Sequence, residues 1–210
     1  MSDFPSVLNP NYVETTPQSA LLDDIRQWIE QEKPSALFHP LGFLVILLCR
    51  ADGNEWRFHV WLPGIRPISG MPSRIHTHDK IVDSRVLKGQ LTNVIYSVSN
   101  VSLGGLPLYE VEYPADKYDP QSTNLLTRRG PRVEARVVRE QRVDAGGGYQ
   151  VAAHVFHEAV VPEGICTCTI VRMHSFTPGP IMLVGVDGYP DKIEIHRPAR
   201  TTADVLAACL

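Results

Sequence analysis

Residues 70–89 read GMPSRIHTHDKIVDSRVLKG, and the pair His76 and His78 inside that stretch decides how the rest of the chain is read. Side chains two apart on an extended strand point to the same face. His76 and His78 can therefore present two imidazoles to one ion from the interior of a small barrel. Imidazole is a strong ligand for Fe, Zn, Cu and Ni. His-x-His alone is short and common, so its surroundings carry the argument.

On both sides of it lie short β-type runs separated by turn residues: 43–49, 56–62, 84–87, 93–98 and 108–113, then 133–141, 149–161, 166–176, 181–186 and 192–196. The turn at residues 51–54, with Asp52 and Gly53 at its centre, predicts a hairpin between the first two. Gly104-Gly105 and Gly146-Gly147-Gly148 fall between strands, so they are turns and not phosphate loops. Many short strands and few helices predict an all-β antiparallel barrel or sandwich. Leu21, Leu22, Ile25, Trp28 and Ile29 recur at helical spacing and predict an amphipathic helix over residues 17–33, with Ser19 as N-cap and Pro34 beyond its end. Residues 1–16 read as an irregular arm, 40–197 as the barrel, and 202–210 as a short helix capped by Thr201 or Thr202, the whole 1–210 as a single domain.

The chain has 210 residues, 43% of them hydrophobic, and a net charge of −3. No basic run is interleaved with aromatics, so a nucleic-acid partner is not expected and a small-molecule substrate is. The most apolar stretch, residues 41–49, is about half the ~20 residues a spanning helix needs, and the first residues lack a signal pattern. The expectation is a cytoplasmic protein with no membrane partner, a homodimer being allowed for. Cys49, Cys166, Cys168 and Cys209 are too few and too irregular for a disulfide framework and are expected to be thiols. The Cys166-x-Cys168 pair has no second pair to complete a zinc site, so it reads as core.

With five residues between Gly70 and His76-Thr77-His78, and Val86-Leu87-Lys88-Gly89 after a short turn, the stretch resembles the first motif of the cupin superfamily. The resemblance implies a double-stranded β-helix, a jelly-roll barrel, whose third metal ligand is a histidine from a later strand. His154 and His157 are the candidates, and on a continuous strand they have opposite parity. The distance to the following strand, compared with the second cupin motif, favours His157 and leaves His154 as a packing or surface residue.

Many cupins carry a glutamate after His-x-His as a fourth ligand, and here there is none between His78 and Gly89. Counting from His78 puts Asp83 in its place, counting back from Gly89 puts Val82 there, and the parity shared by Val82 and Ser84 turns Asp83 outward. Three histidines with open coordination positions remain, the arrangement a catalytic metal uses. That pattern resembles the cysteine dioxygenase-like thiol dioxygenases, and the resemblance implies Fe(II), O2 and a small polar substrate bearing a thiol or carboxylate. His174-Ser175-Phe176-Thr177-Pro178 is similar to the segment holding their Ser-His-Tyr triad, with Arg172, His174 and Phe176 in those three places. Phe176 lacks the tyrosine hydroxyl, which argues against cysteine itself as substrate.

Other polar residues are candidates for the cavity. Arg172 shares a strand face with His174 and is a candidate to pair a substrate carboxylate, with His174 as a hydrogen-bonding partner. Arg57 shares a face with His59 and Trp61 and matches the early-strand arginine of thiol dioxygenase-like proteins, yet Trp56, Phe58 and Val60 form the more apolar face, which by packing turns Arg57 outward. Ser84 is a substrate-side candidate, and Tyr149 shares the parity of His157 and offers a hydroxyl. The alternatives are a non-oxidative isomerase or lyase using Zn, Ni or Mn as Lewis acid, and a cupin that binds a ligand without turnover.

Overall fold

The computed structural model describes residues 4–64, 71–113 and 119–209; Gly70 of the motif lies outside them. Three helices come first, α1 (Phe4–Val7), α2 (Pro10–Thr15) and α3 (Gln18–Glu32). Then follow β1 (Ala36–His39), β2 (Phe43–Ala51), β3 (Asn54–Trp61), β4 (Ile81–Lys88), β5 (Gln90–Asn100), β6 (Leu108–Glu112) and β7 (Thr123–Arg128). The chain continues through β8 (Val133–Asp144), β9 (Gly148–Val151), β10 (Phe156–Val160), β11 (Thr167–His174), β12 (Ile181–Val184), β13 (Lys192–His196), β14 (Ala199–Arg200) and α4 (Ala203–Cys209).

One antiparallel sheet has the order β14-β1-β2-β3-β11-β4-β9. The second is built from β10-β5-β8 and β12-β6-β7-β13. Residues 75–78 join these halves. His76 exchanges both backbone hydrogen bonds with His157 of β10 (3.0 and 2.9 Å), while Thr77 N donates to Met182 O (2.8 Å) and Val184 N to Ile75 O (2.9 Å) on the β12 side. After β3 the chain crosses repeatedly between the two sheets, which gives the expected all-β double-stranded β-helix with an N-terminal amphipathic helix and a short C-terminal one. The β2–β3 hairpin turns at Asp52 (φ 52°) and Gly53 (φ 74°), both left-handed as a tight two-residue turn requires.

The first sheet is covered on both faces. Leu21, Ile25, Trp28 and Ile29 of α3 are buried against Trp56, Phe58 and Val60 of β3, Leu44, Ile46 and Leu48 of β2 and Ile170 of β11. Each fully buried aliphatic of that stripe contributes about 2 kcal/mol. The opposite face of the sheet looks into the barrel, where Leu37, Val45, Trp61, Tyr109, Leu126, Leu183 and Ile195 form a second core. This double coverage decides which side chains reach the functional site.

Four local expectations need correction. The segment expected to be irregular contains α1 and α2, because Asn9 caps α2 by accepting from Tyr12 N (2.9 Å) and Pro10 starts it with the φ a first turn needs. Arg85 ties this arm to the sheet through the carbonyls of Val13 and Thr16. Ser19 lies inside α3, whose cap position is Pro17 without a side-chain hydrogen bond. The run at 149–161 is two strands separated by a turn in which His154 has φ 60°. Cys49 and Cys168 are free thiols, but Cys166 is half of a disulfide, so the expectation of thiols fails there. None of the described helices is long and apolar enough to cross a membrane.

Candidate metal centre

His76 and His78 enter the barrel from the bridging segment and His157 from β10, and their ligand nitrogens all lie within 4.8 Å of one another. Nε2 of His78 is 3.1 Å from Nε2 of His157. Two nitrogens about 2.1 Å from one ion at ordinary coordination angles stand about 3.0–3.4 Å apart, so this spacing fits a shared metal. The other ring nitrogens of His76 and His157 are engaged. Nδ1–H of His76 donates to the Arg74 carbonyl (2.8 Å), and Nδ1–H of His157 donates to Oδ1 of Asn93 (3.2 Å). These bonds select the tautomer whose free lone pair is on Nε2. Burial holds His157 well below the usual histidine range, with His76 adding to the effect. It also lowers His76, partly offset by the Arg74 carbonyl. Both imidazoles are neutral at pH 7, the form that ligates. The donor set thus fits a mononuclear metal with open positions.

His154 stands apart, its Nε2 on the Thr177 carbonyl (3.1 Å), in the left-handed turn ahead of β10. Asn93 is 2% exposed and lies on the inward parity of β5 between Leu91 and Ile95. Replacing it, Asn93→Ala, leaves a buried imidazole N–H without an acceptor. The expected result is a metal affinity about 10–100-fold weaker by competitive chelator titration, as for second partners of ligating histidines. An unchanged affinity would separate Asn93 from the site.

Two small chambers of about 50 and 70 Å3 adjoin the histidines and share His39, Arg57, His76, His78 and Met173 in their walls. Arg57 is inside, 7% exposed and ion-paired with Glu55. The packing expectation that turns it outward is corrected, because α3 covers the other face and takes Trp56, Phe58 and Val60. His59 and Trp61 come inside with Arg57, and Nε2 of His59 is buried without a partner. His39, from β1, stacks on Phe43 (4.4 Å between ring centroids) and accepts from Leu41 N at Nδ1 (3.2 Å). Burial, then the Arg197 guanidinium, holds His39 far below its usual value; burial, then Arg57, does the same for His59.

Tyr149 also lines the cavity, opposite Ser84 in the β4–β9 register. Burial pushes its phenol above the usual value and the Ser84 hydroxyl pulls it partly back. Ser84 Oγ is buried without a well-formed hydrogen bond, so the two hydroxyls are close but unpaired.

Arg172 and His174 lie on the other face of the sheet. Val171 and Met173 of β11 face the cavity instead. Asp83 points outward with them, accepting from Arg172 Nη2 (2.8 Å), His174 Nε2 (2.9 Å) and Gln150 Nε2 (2.7 Å). Asp83 is therefore not a ligand, and Arg172 and His174 are corrected as cavity residues. Helix α3 covers the apolar outer part of β11 around Ile170, and the strand is polar beyond that cover. Phe176 is 63% exposed. A larger groove of about 500 Å3 runs along this outer face past Asp83 and Arg172, away from the three histidines.

Asn93, His39, His59, Asn124 and Arg197 were not singled out by motif. For Asn93, His39 and Arg197 the signal is parity: each sits where its strand's alternation turns side chains inward, as Arg197 follows Ile193 and Ile195.

No family model matches the chain, and no curated protein matches it. Solved structures that match include L-ribose isomerase of Cellulomonas parahominis with L-ribose, at 11% identity, over 76% of this chain and 83% of that one, with a TM-score of 0.37. Hydroquinone 1,2-dioxygenase PnpCD, in complex with Cd2+ and 4-hydroxybenzonitrile, matches at 8% identity over 61% and 62%, with a TM-score of 0.33. The DMSP lyases RdDddP and RnDddQII match at 10% identity and a TM-score of 0.34, over 63% of this chain and 47% of that one. The chain thus spans about half the length of the lyase chain it matches. At these scores the reading of fold and site rests on the strand order and histidine geometry of this chain.

Proposed function

We propose that the chain is a mononuclear metal-dependent cupin enzyme, an oxygenase using Fe(II) and O2 on a small polar substrate. The observation that carries this reading is the convergence of three imidazoles, two of which, His76 and His157, are held from behind by the Arg74 carbonyl and the Asn93 side chain. A metal held there would supply Lewis acidity and, as Fe(II), reactivity toward O2. The protein's own part is positioning. Chambers of about 50 and 70 Å3 admit only a few non-hydrogen atoms and leave little room for bulk water. Phe43 and Trp61 wall one side, Arg57 places positive charge beside the histidines, and the Tyr149 phenol stays protonated and able to donate a hydrogen bond.

A second reading has an observation in its favour. With His174 and Phe176 outside the cavity, the segment similar to the hydroxyl-bearing triad of the thiol dioxygenases does not line it, and a three-histidine set also suits Zn, Ni or Mn in an isomerase or lyase. Elemental analysis of protein purified without oxygen, followed by O2 uptake with small thiols and small carboxylates, tests the two. The expected result is iron near one per chain and uptake with at least one of them. Zinc or nickel with no uptake would move the assignment to Lewis-acid chemistry.

A further inference from the structure

Arg197 follows β13 on its inward parity and is 5% exposed. Its guanidinium lies over the Tyr113 ring, 5.5 Å from the centroid. Among the described residues no carboxylate pairs with it, and its Nε is buried without an acceptor. It lines the 50 Å3 chamber together with His76, His78 and Arg57. Asn124 lines the same chamber, 3% exposed, with its side-chain carbonyl oxygen also unpartnered. The contrast with Arg57, which has Glu55 beside it, is informative. A lysine or histidine in such a place can shed its proton, whereas a guanidinium cannot, so its buried charge needs an anion or a strong acceptor. A ring face offsets only part of that demand.

Resting on the reading of the three histidines as the active site, we propose that Arg197 anchors a carboxylate of the substrate, with the unpartnered Asn124 Oδ1 beside it placed to accept from a hydroxyl or amine donor of the same molecule. The planar fork of a guanidinium matches a carboxylate in two parallel hydrogen bonds. The small chamber favours that flat group over a phosphate. Arg197 and Arg57 stand together in the wall of this chamber beside His76 and His78. An anion placed there would meet a preformed positive field and the open side of the metal centre together.

The test is calorimetric titration of the full chain, metal-stripped and metal-loaded, with propionate, its neutral isostere propionamide, and inorganic phosphate. Propionate is expected to bind and propionamide not to bind. R197Q should weaken propionate by about 30-fold or more and R197K by less, as truncating one partner of a buried charge pair does. Thermal melting gives a readout that a packing role would not: without carboxylate, R197Q should melt no lower than the natural protein, since it removes a lone buried charge. Propionate should raise the melting temperature of the natural protein and leave that of R197Q unmoved. Propionate binding indifferent to R197Q and R197K, or preference for phosphate, would overturn the assignment. Metal content separates the two readings. Arg197-dependent propionate binding in a chain that takes no metal sinks the metal centre alone, and a metal-loaded chain whose propionate binding ignores Arg197 sinks the anchor alone.

Discussion

His157→Ala is expected to abolish stoichiometric metal binding, with a loss of affinity larger than the roughly 100-fold upper range for a residue that only supports a ligand. His157 is one of three donors, and its Nε2 lies 3.1 Å from that of His78. Removing it leaves His76 and His78, two residues apart on one segment, to hold the ion alone. The variant should still fold. Its imidazole is neutral and hydrogen-bonds Asn93, with only the His78 ring nitrogen at its other end, so the expected loss is about 1–3 kcal/mol. Metal should raise the melting temperature of the natural chain by mass action and leave that of H157A where it was. His154→Ala is the control, because His154 bonds a loop carbonyl and lies apart from the cluster. Elemental analysis after dialysis against limiting chelator decides it. Metal retained at one per chain in H157A, or lost in H154A, would mean that the third ligand is misassigned.

The site was legible where it depended on local spacing. His76 and His78 needed only period two, and His157 needed the distance to the next strand set beside that of the second cupin motif it resembles. Residues chosen by asking which strand face is the inner one were placed wrongly, for one physical reason. The rule that the apolar face is the inner face holds for a sheet wet on one side. Here α3 supplies a second apolar layer, so β3 offers Trp56, Phe58 and Val60 to the helix and turns Arg57, His59 and Trp61 into the barrel. On β11 the same arrangement leaves Val171 and Met173 inside and puts Arg172 and His174 out beside Asp83. Recognising α3 was within reach of the sequence, but knowing which sheet it would cover was not. The strand β7, with Asn124, was missed because its residues Thr123–Arg128 alternate weakly between polar and apolar.

The fold rests on one residue of the opening stretch more than its polarity suggests. Gly89→Ala is expected to destabilise the protein by about 3–5 kcal/mol, among the larger effects of a single change. Gly89 joins β4 directly to β5 with φ +74°, a conformation that disfavours any side chain by about 1–2 kcal/mol. A Cβ there would also stand 2.4 Å from the Cys166 carbonyl oxygen and 3.0 Å from Thr167 Cα, both backbone atoms that no rotamer change can move. The crowding belongs to the join itself. Thr167 Oγ1 donates to Gln90 O (3.0 Å) and Ala145 N donates to Gly89 O (3.0 Å), so the turn, β11 and the end of β8 are stitched together at this point. Gly53 has the same φ, +74°, with nothing within 4 Å of its Cβ position, which makes Gly53→Ala the matched comparison. That variant should lose only about 1–2 kcal/mol. At roughly 2–4 °C per kcal/mol for a chain of this length, G89A should melt about 6–20 °C below the natural protein and G53A about 2–8 °C below it. Because β4 carries the cavity residue Val82 and β5 carries Asn93, G89A should also weaken metal binding, and G53A should not. Equal melting temperatures for the two variants would show that the close approach to Cys166 is relieved at no cost, and that the turn does not hold the metal centre's strands in register.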